Sequence, residues 1–383
     1  MVSKIQRAFI VSVCLQHASI GWIFSTYVLF LLDRGLTLFE AHLLNFGFMI
    51  GIFLFDPPTG MLSDKFGQKK VYLTGVFFWG FGMIVYATGF SFWHFLGAEL
   101  IAAFGSCLIS GSLDCWMRNL TNEEETHKTL SRVGIFGPII QIPTAILGSI
   151  VAHNFGFTWP WILGFTSSMI SLVISWFILR KLPEDYTQPN EFGWITLFKN
   201  ATGSAFQNKD LRFTLLVTFG LMFFVQPFNM LWSVIFKNLS GEVWWLGSLW
   251  IGVAGGLALG AYFAKNKLYK LNGLGIIIAL LFCGVPMLGA SVSSTVYLSA
   301  PLFLIHEIGR GAIKPLIFTW ANRHIPNNIR STSNSIRSSL GALGSGLGLV
   351  IFGGLTNFFL PQTIWGISAI GLILLSIYAY RRS

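Results

Sequence analysis

Apolar stretches long enough to cross a membrane recur along the chain, separated by short polar breaks. They fall near 8–32, 40–62, 71–90, 93–117, 133–153, 160–180, 213–236, 243–264, 271–292, 296–320, 333–358 and 362–380. Each covers the roughly 20 residues that a helix needs to span the hydrocarbon core. None alternates apolar and polar positions as a barrel strand does, and an isolated strand cannot satisfy its backbone in lipid. The pattern therefore predicts twelve transmembrane helices, and an all-α polytopic membrane protein.

The cationic residues then orient the spans. With the N-terminus in the cytoplasm, 20 Lys and Arg fall in cytoplasmic loops, only Arg34 and Lys237 fall outside, and Arg310, Lys314 and Arg337 lie within spans. Retention of Lys and Arg on the cytoplasmic side makes this asymmetry an orientation signal. It predicts both termini in the cytoplasm of a cell (inner) membrane protein. The longest polar stretch divides the chain into residues 1–182, a cytoplasmic linker 183–212 and residues 213–383, with six spans on either side. A surface helix is expected near Trp194–Asn200. Two such halves fit a transporter, whose repeats build a site near the midplane.

Composition sharpens the class. Only 10% of the 383 residues are charged, against about 25% in soluble proteins, so a globular surface cannot be covered. The net charge of +10 reflects the cytoplasmic loops rather than a nucleic-acid footprint. The first span follows Lys4 and Arg7 but outruns a signal-peptide core, so it reads as a retained helix. Cys14, Cys107, Cys115 and Cys283 form no CxxC and fit no zinc spacing. No metal or cofactor is expected. The chain has no GxxxxGK[ST] for ATP and no HExxH or GxSxG for hydrolysis, so it does not read as an enzyme.

The sharpest motif is Gly60-Met61-Leu62-Ser63-Asp64-Lys65-Phe66-Gly67-Gln68-Lys69-Lys70, between the second and third spans. Gly60 and Gly67 permit tight turns and close helix approach. Asp64 suits the positive end of a neighbouring helix. This motif resembles the signature of the major facilitator superfamily. The resemblance implies two six-helix bundles that rock around a central cavity, with this loop latching the halves. It makes Gly60, Asp64, Lys65 and Gly67 gating residues. Asp56-Pro57-Pro58-Thr59-Gly60 is similar to the entry of that loop. Ser110 to Trp116 and Asn322 to Ser335 resemble a drug-exporter-like branch. Glu99 stands where many proton-driven exporters carry an arginine. The helix-five antiporter pattern is partial, with Gly134, Gly137 and Pro138 followed by Ile139 and Ile140.

Ionisable residues inside a span are costly and usually functional. Residues 306–314 hold the densest set. Glu307 and His306, with Glu99, are candidates for proton coupling. Arg310 and Lys314 are candidates for binding an anionic group, and spacings of three and four place them on the face of Glu307. An internal Glu307–Arg310 salt bridge would explain the same spacing. Asp56, Asp114 and Arg337 are expected at a cytoplasmic gate. Gln16, His17, Gln141, Gln226 and Asn229 are polar candidates for the cavity, and Trp22 and Trp232 for stacking on a substrate ring.

The sequence thus predicts a monomeric secondary transporter of a small organic molecule, driven by protons and directed to efflux. Uptake or exchange of an organic anion or metal chelate stays open, as does a receptor or assembly partner that no longer transports.

Overall fold

The computed structural model describes residues 2–183, 209–324 and 327–382. The described residues form thirteen α-helices. These are α1 (Val2–Gly21), α2 (Tyr27–Asp33), α3 (Leu38–Phe66), α4 (Gln68–Ala87), α5 (Phe92–Leu120), α6 (Glu123–Phe155) and α7 (Thr158–Leu179), followed by α8 (Lys209–Ser240), α9 (Leu249–Asn266), α10 (Gly273–Ser291), α11 (Val296–His324), α12 (Asn327–Leu355) and α13 (Pro361–Arg382). With α1 and α2 taken as one interrupted segment, they correspond to the twelve predicted spans. By length and composition, ten helical segments are apolar enough to cross a membrane. The other two are the broken α1–α2 segment and α11, which carries His306, Glu307, Arg310 and Lys314.

The first span differs from its expectation. Residues 8–32 read as one helix, yet the chain turns between Gly21 and Tyr27. Phe24 N–H donates to the Gly21 carbonyl at 3.1 Å and Thr26 N–H to the Ile23 carbonyl at 3.1 Å, the three-residue spacing of a tightened turn. Packing against α6 accounts for it. A Cβ on Gly21 would collide with Thr144 Oγ1, and one on Gly148 would collide with the Trp22 carbonyl. Hydropathy has no access to such a contact.

The chain divides into two compact units. One comprises Met1–Glu191 with Glu242–Trp250, the other Phe192–Gly241 with Ile251–Ser383. Residues 184–208, most of the expected linker and all of the expected surface helix, lie outside the described residues.

In the first unit, local signals set the helix ends. Thr37 and Glu40 form a reciprocal capping box at α3, which satisfies two otherwise orphaned donors. Ser91 and Asn122 cap α5 and α6. Gly67 is the single residue between α3 and α4, at φ +91°, a conformation that disfavours any side chain. Helices α4 and α5 approach closely at Gly75 and Gly105, where a Cβ on either would meet the other's carbonyl at 2.9 Å.

Lys69 fixes the end of α7. It is 8% exposed, and its Nζ donates to the carbonyls of Leu179 at 3.2 Å and Leu182 at 2.7 Å. A cation on terminal carbonyls also complements the helix dipole. Nearby, Trp116 Nε1–H donates to the Pro183 carbonyl at 2.9 Å. A core of Ile5, Phe9, Tyr72, Leu113, Trp116 and Leu179 closes this end.

Glu242–Trp250 packs on α6 as part of this unit. Ser149 Oγ donates to the Trp244 carbonyl at 2.7 Å and accepts from Gly247 N–H at 3.1 Å. Trp250 Nε1–H donates to the Pro138 carbonyl at 3.1 Å, and its ring lies 4.1 Å from that of Phe24.

In the second unit, α12 presents Gly344 and Gly348 to the α8 carbonyls of Phe219 and Phe223. Trp365 on α13 donates Nε1–H to the Pro227 carbonyl at 3.1 Å. Its ring stacks on Phe303 at 6.0 Å and 4°.

Candidate functional site

The first unit holds a cavity of about 200 Å³ among α2 to α5 and α7, reached also by Ile23 in the turn before α2. Glu99 lines it and is 5% exposed. The Ser91 cap starts α5 and so fixes the height of Glu99, and Gly82 beside Ala102 brings α4 close. The turn after α1 delivers Tyr27. The Tyr27 and Tyr86 hydroxyls both donate to Glu99 Oε1, each at 2.6 Å, the short range of charge-assisted bonds. Aromatic rings surround the carboxylate. Trp161 stacks on Tyr86 at 4.1 Å and 8°, and Phe30 lies 5.2 Å from Trp161. Tyr27, Tyr86 and Trp161 went unnoticed in the sequence. One signal was present: only three tyrosines fall in the first six spans, and a buried phenol needs a partner.

The other polar candidates of this unit lie elsewhere. His17 Nδ1 and Gln141 Nε2 are 3.3 Å apart. Gln16 is 5% exposed, and its amide has no partner among the described residues. Trp22 Nε1–H donates to Ser167 Oγ at 2.7 Å, so its ring is anchored to α7.

In the second unit, α11 carries the ionisable cluster. Glu307 is 1% exposed on its side chain, and its Oε1 accepts from Arg310 Nη1 at 2.8 Å, with Arg310 27% exposed. Glu307 Oε2 has no partner among the described residues. Gly256 on α9 gives room here, since a Cβ there would stand 2.9 Å from that of Glu307. His306 Nδ1 lies 2.7 Å from the Cys283 carbonyl. A carbonyl only accepts, so Nδ1 carries a proton, and Nε2 has no hydrogen-bond partner among the described residues. Phe228 and Phe303 flank that imidazole at 4.8 and 6.2 Å.

Some candidates part from this cluster. Lys314 is exposed, so the shared face expected for Glu307, Arg310 and Lys314 grades from interior to surface. Asn229 is exposed, and Gln226 is buried with Nε2–H on the Met222 carbonyl at 3.0 Å of its own helix. Trp232 packs in the interior against Phe303 and Phe236 and is a core residue rather than an open stacking surface. Among the gating candidates, Gly67 makes the turn described above. Lys65 is exposed with Nζ 5.4 Å from the Phe66 ring centre. Asp56 is exposed, Asp114 is half-buried one turn from Arg118, and Arg337 lies 6.0 Å over Phe318. The backbone is helical at Gly60 and Asp64, but their side chains, like those of 321–336, lie outside the described residues.

Helical segments of membrane-spanning length, with buried ionisable groups in both units, define a multi-pass membrane transport protein. The chain belongs to the Major Facilitator Superfamily, whose pattern matches residues 9–349. Proteins of that superfamily are secondary transporters. An uncharacterized MFS-type transporter of Bacillus subtilis, YxaM, is 21% identical over 94% of this chain and 91% of its own length. Two uncharacterized transporters of Buchnera aphidicola are 31% and 30% identical over 34% and 38% of this chain. The matched region spans 35% and 38% of those relatives. The inner membrane transport protein YajR of Escherichia coli is 27% identical over 32% of this chain and 28% of its own. Among solved structures, the nucleoside transporter NupG matches with a TM-score of 0.77 at 15% identity, over 99% of this chain and 98% of its own. A bacterial homologue of the iron transporter ferroportin matches with 0.78 at 17%, over 100% and 99%. At these identities the structures support the fold alone.

Proposed function

We propose that this protein is a proton-coupled exporter of small organic molecules, working by alternating access as a monomer in the cytoplasmic membrane with both termini inside. The observation that carries the coupling is the Glu307–Arg310 pair. A buried carboxylate is costly unless compensated. Glu307 has two means of compensation, Arg310 at 2.8 Å or a proton. Protonation would release the Arg310 guanidinium, and deprotonation would recapture it. The pair is thus a two-state element whose balance a proton gradient biases. Glu99 is a second carboxylate for the same task. Efflux is supported by the likeness of 110–116 and 322–335 to the drug-exporter branch, and the cytoplasmic membrane by the likeness to YajR. The intact latch motif, with Gly60, Asp64 and Gly67 all present, supports a moving protein over a silent receptor.

Arg310, being partly exposed, favours one second reading, the proton-coupled uptake or exchange of an organic anion. Proteoliposomes loaded with a pH-sensitive dye distinguish the two. Substrate-dependent proton movement is expected in wild type and absent in Glu307→Gln, and its sign separates antiport from symport. Unchanged movement in Glu307→Gln would reduce the pair to a structural bridge.

A further inference from the structure

We infer that the cavity of the first unit is a binding subsite for a small organic cation, a protonated or quaternary amine carrying at most one aromatic ring. The inference rests on the transporter reading above and names the substrate class it serves.

Three features point to this ligand. The first is charge. Glu99 is a carboxylate on the cavity wall, and no cationic side chain lines that cavity. Both phenols bond to Oε1, so Oε2 has no hydrogen-bond partner among the described residues and is the atom that an ammonium group would neutralise. The second is the wall itself. Tyr27, Tyr86, Trp79, Trp161 and Phe48 line the same space. Aromatic faces attract cations by their quadrupoles, tryptophan most strongly, and several rings around one carboxylate form the cage that recognises quaternary ammonium groups. The third is size. An apolar cavity of about 150 Å³ holds one benzene, so about 200 Å³ accommodates a single ring with a short ammonium arm.

A site for protons alone would need the carboxylate but not this lining. An anion site is opposed by Glu99 itself.

The test uses the full-length protein in detergent, with no gradient, and benzyltrimethylammonium as the probe. Its charge is fixed, so it cannot act by carrying a proton. Benzyl alcohol is the uncharged comparison. Titration calorimetry is expected to show saturable binding of the cation to wild type, weakened roughly tenfold or more in Glu99→Gln. Benzyl alcohol is expected to bind weakly and equally to both. Glu99→Asp, which keeps the charge on a shorter arm, is expected to retain the preference for the cation. It serves as the deciding variant if Glu99→Gln does not elute as a single species. Equal binding of the cation to wild type and Glu99→Gln, loss of the preference in Glu99→Asp, or no binding to wild type would each overturn the subsite. Glu307→Gln is expected to bind the cation as wild type does. Binding intact in a wild-type protein that shows no substrate-dependent proton movement would count against the coupling reading and leave the subsite standing.

Discussion

Lys69 offers the sharpest separation between two lysines of one motif. Lys69→Met keeps an unbranched apolar stem of similar length and removes the ammonium group. Two hydrogen bonds are lost, to Leu179 at 3.2 Å and Leu182 at 2.7 Å. Bonds to a charged donor contribute about 1.5–3 kcal/mol each, and the longer of these two belongs at the low end. At 8% exposure, little water is available to replace them. The expected loss is therefore roughly 3–4.5 kcal/mol. A unit of this size shifts its midpoint by about 2–4 °C per kcal/mol, which gives a fall of roughly 6–18 °C. The assay is thermal unfolding of purified protein in one detergent at one heating rate. Lys65→Met, at an exposed site four residues earlier, is expected to stay within about 2 °C of wild type. Equal midpoints for the two variants would refute the assignment of Lys69 as the clamp on α7.

Two further outcomes follow from the geometry. Gly105→Ala would place a Cβ 2.5 Å from the Trp79 backbone nitrogen; forcing α4 from α5 should cost about 1–3 kcal/mol in the same unfolding assay, whereas Gly97→Ala, with open space around it, should be neutral or slightly stabilising. A fluorescent protein fused after Arg382 should glow and a periplasm-dependent phosphatase at that point stay silent, with the reverse at Asn238; the opposite pattern would overturn the orientation.

Much of the architecture was legible because lipid leaves few alternatives. Hydropathy located the helical segments, ten of them apolar enough to cross a membrane among the described residues, and the Gly60–Lys70 motif pointed to the family. What escaped were features set by contacts distant in sequence. The break after Gly21 depends on Thr144, 123 residues away, and it delivers Tyr27 to Glu99. Glu99 stood out as a charge in a span, but neither phenol could be paired with it from spacing. On α11, periodicity placed Glu307, Arg310 and Lys314 along one side and could not say where that side meets the surface. Trp232 looked like a ligand platform because an aromatic in an apolar run carries no mark of whether a neighbour such as Phe303 already covers it.

The membership of Glu242–Trp250 in the first unit bears on how this protein can be divided. The polypeptide passes from one unit to the other three times, at 191/192, 241/242 and 250/251. A gene split at the linker would therefore not separate the units cleanly. Its first product would lack the strip whose Gly247 amide and Trp244 carbonyl engage Ser149, and its second would carry that strip away from its natural seat. Co-expressed, the second fragment would carry the strip that completes the first, so the two gene products would be recovered together.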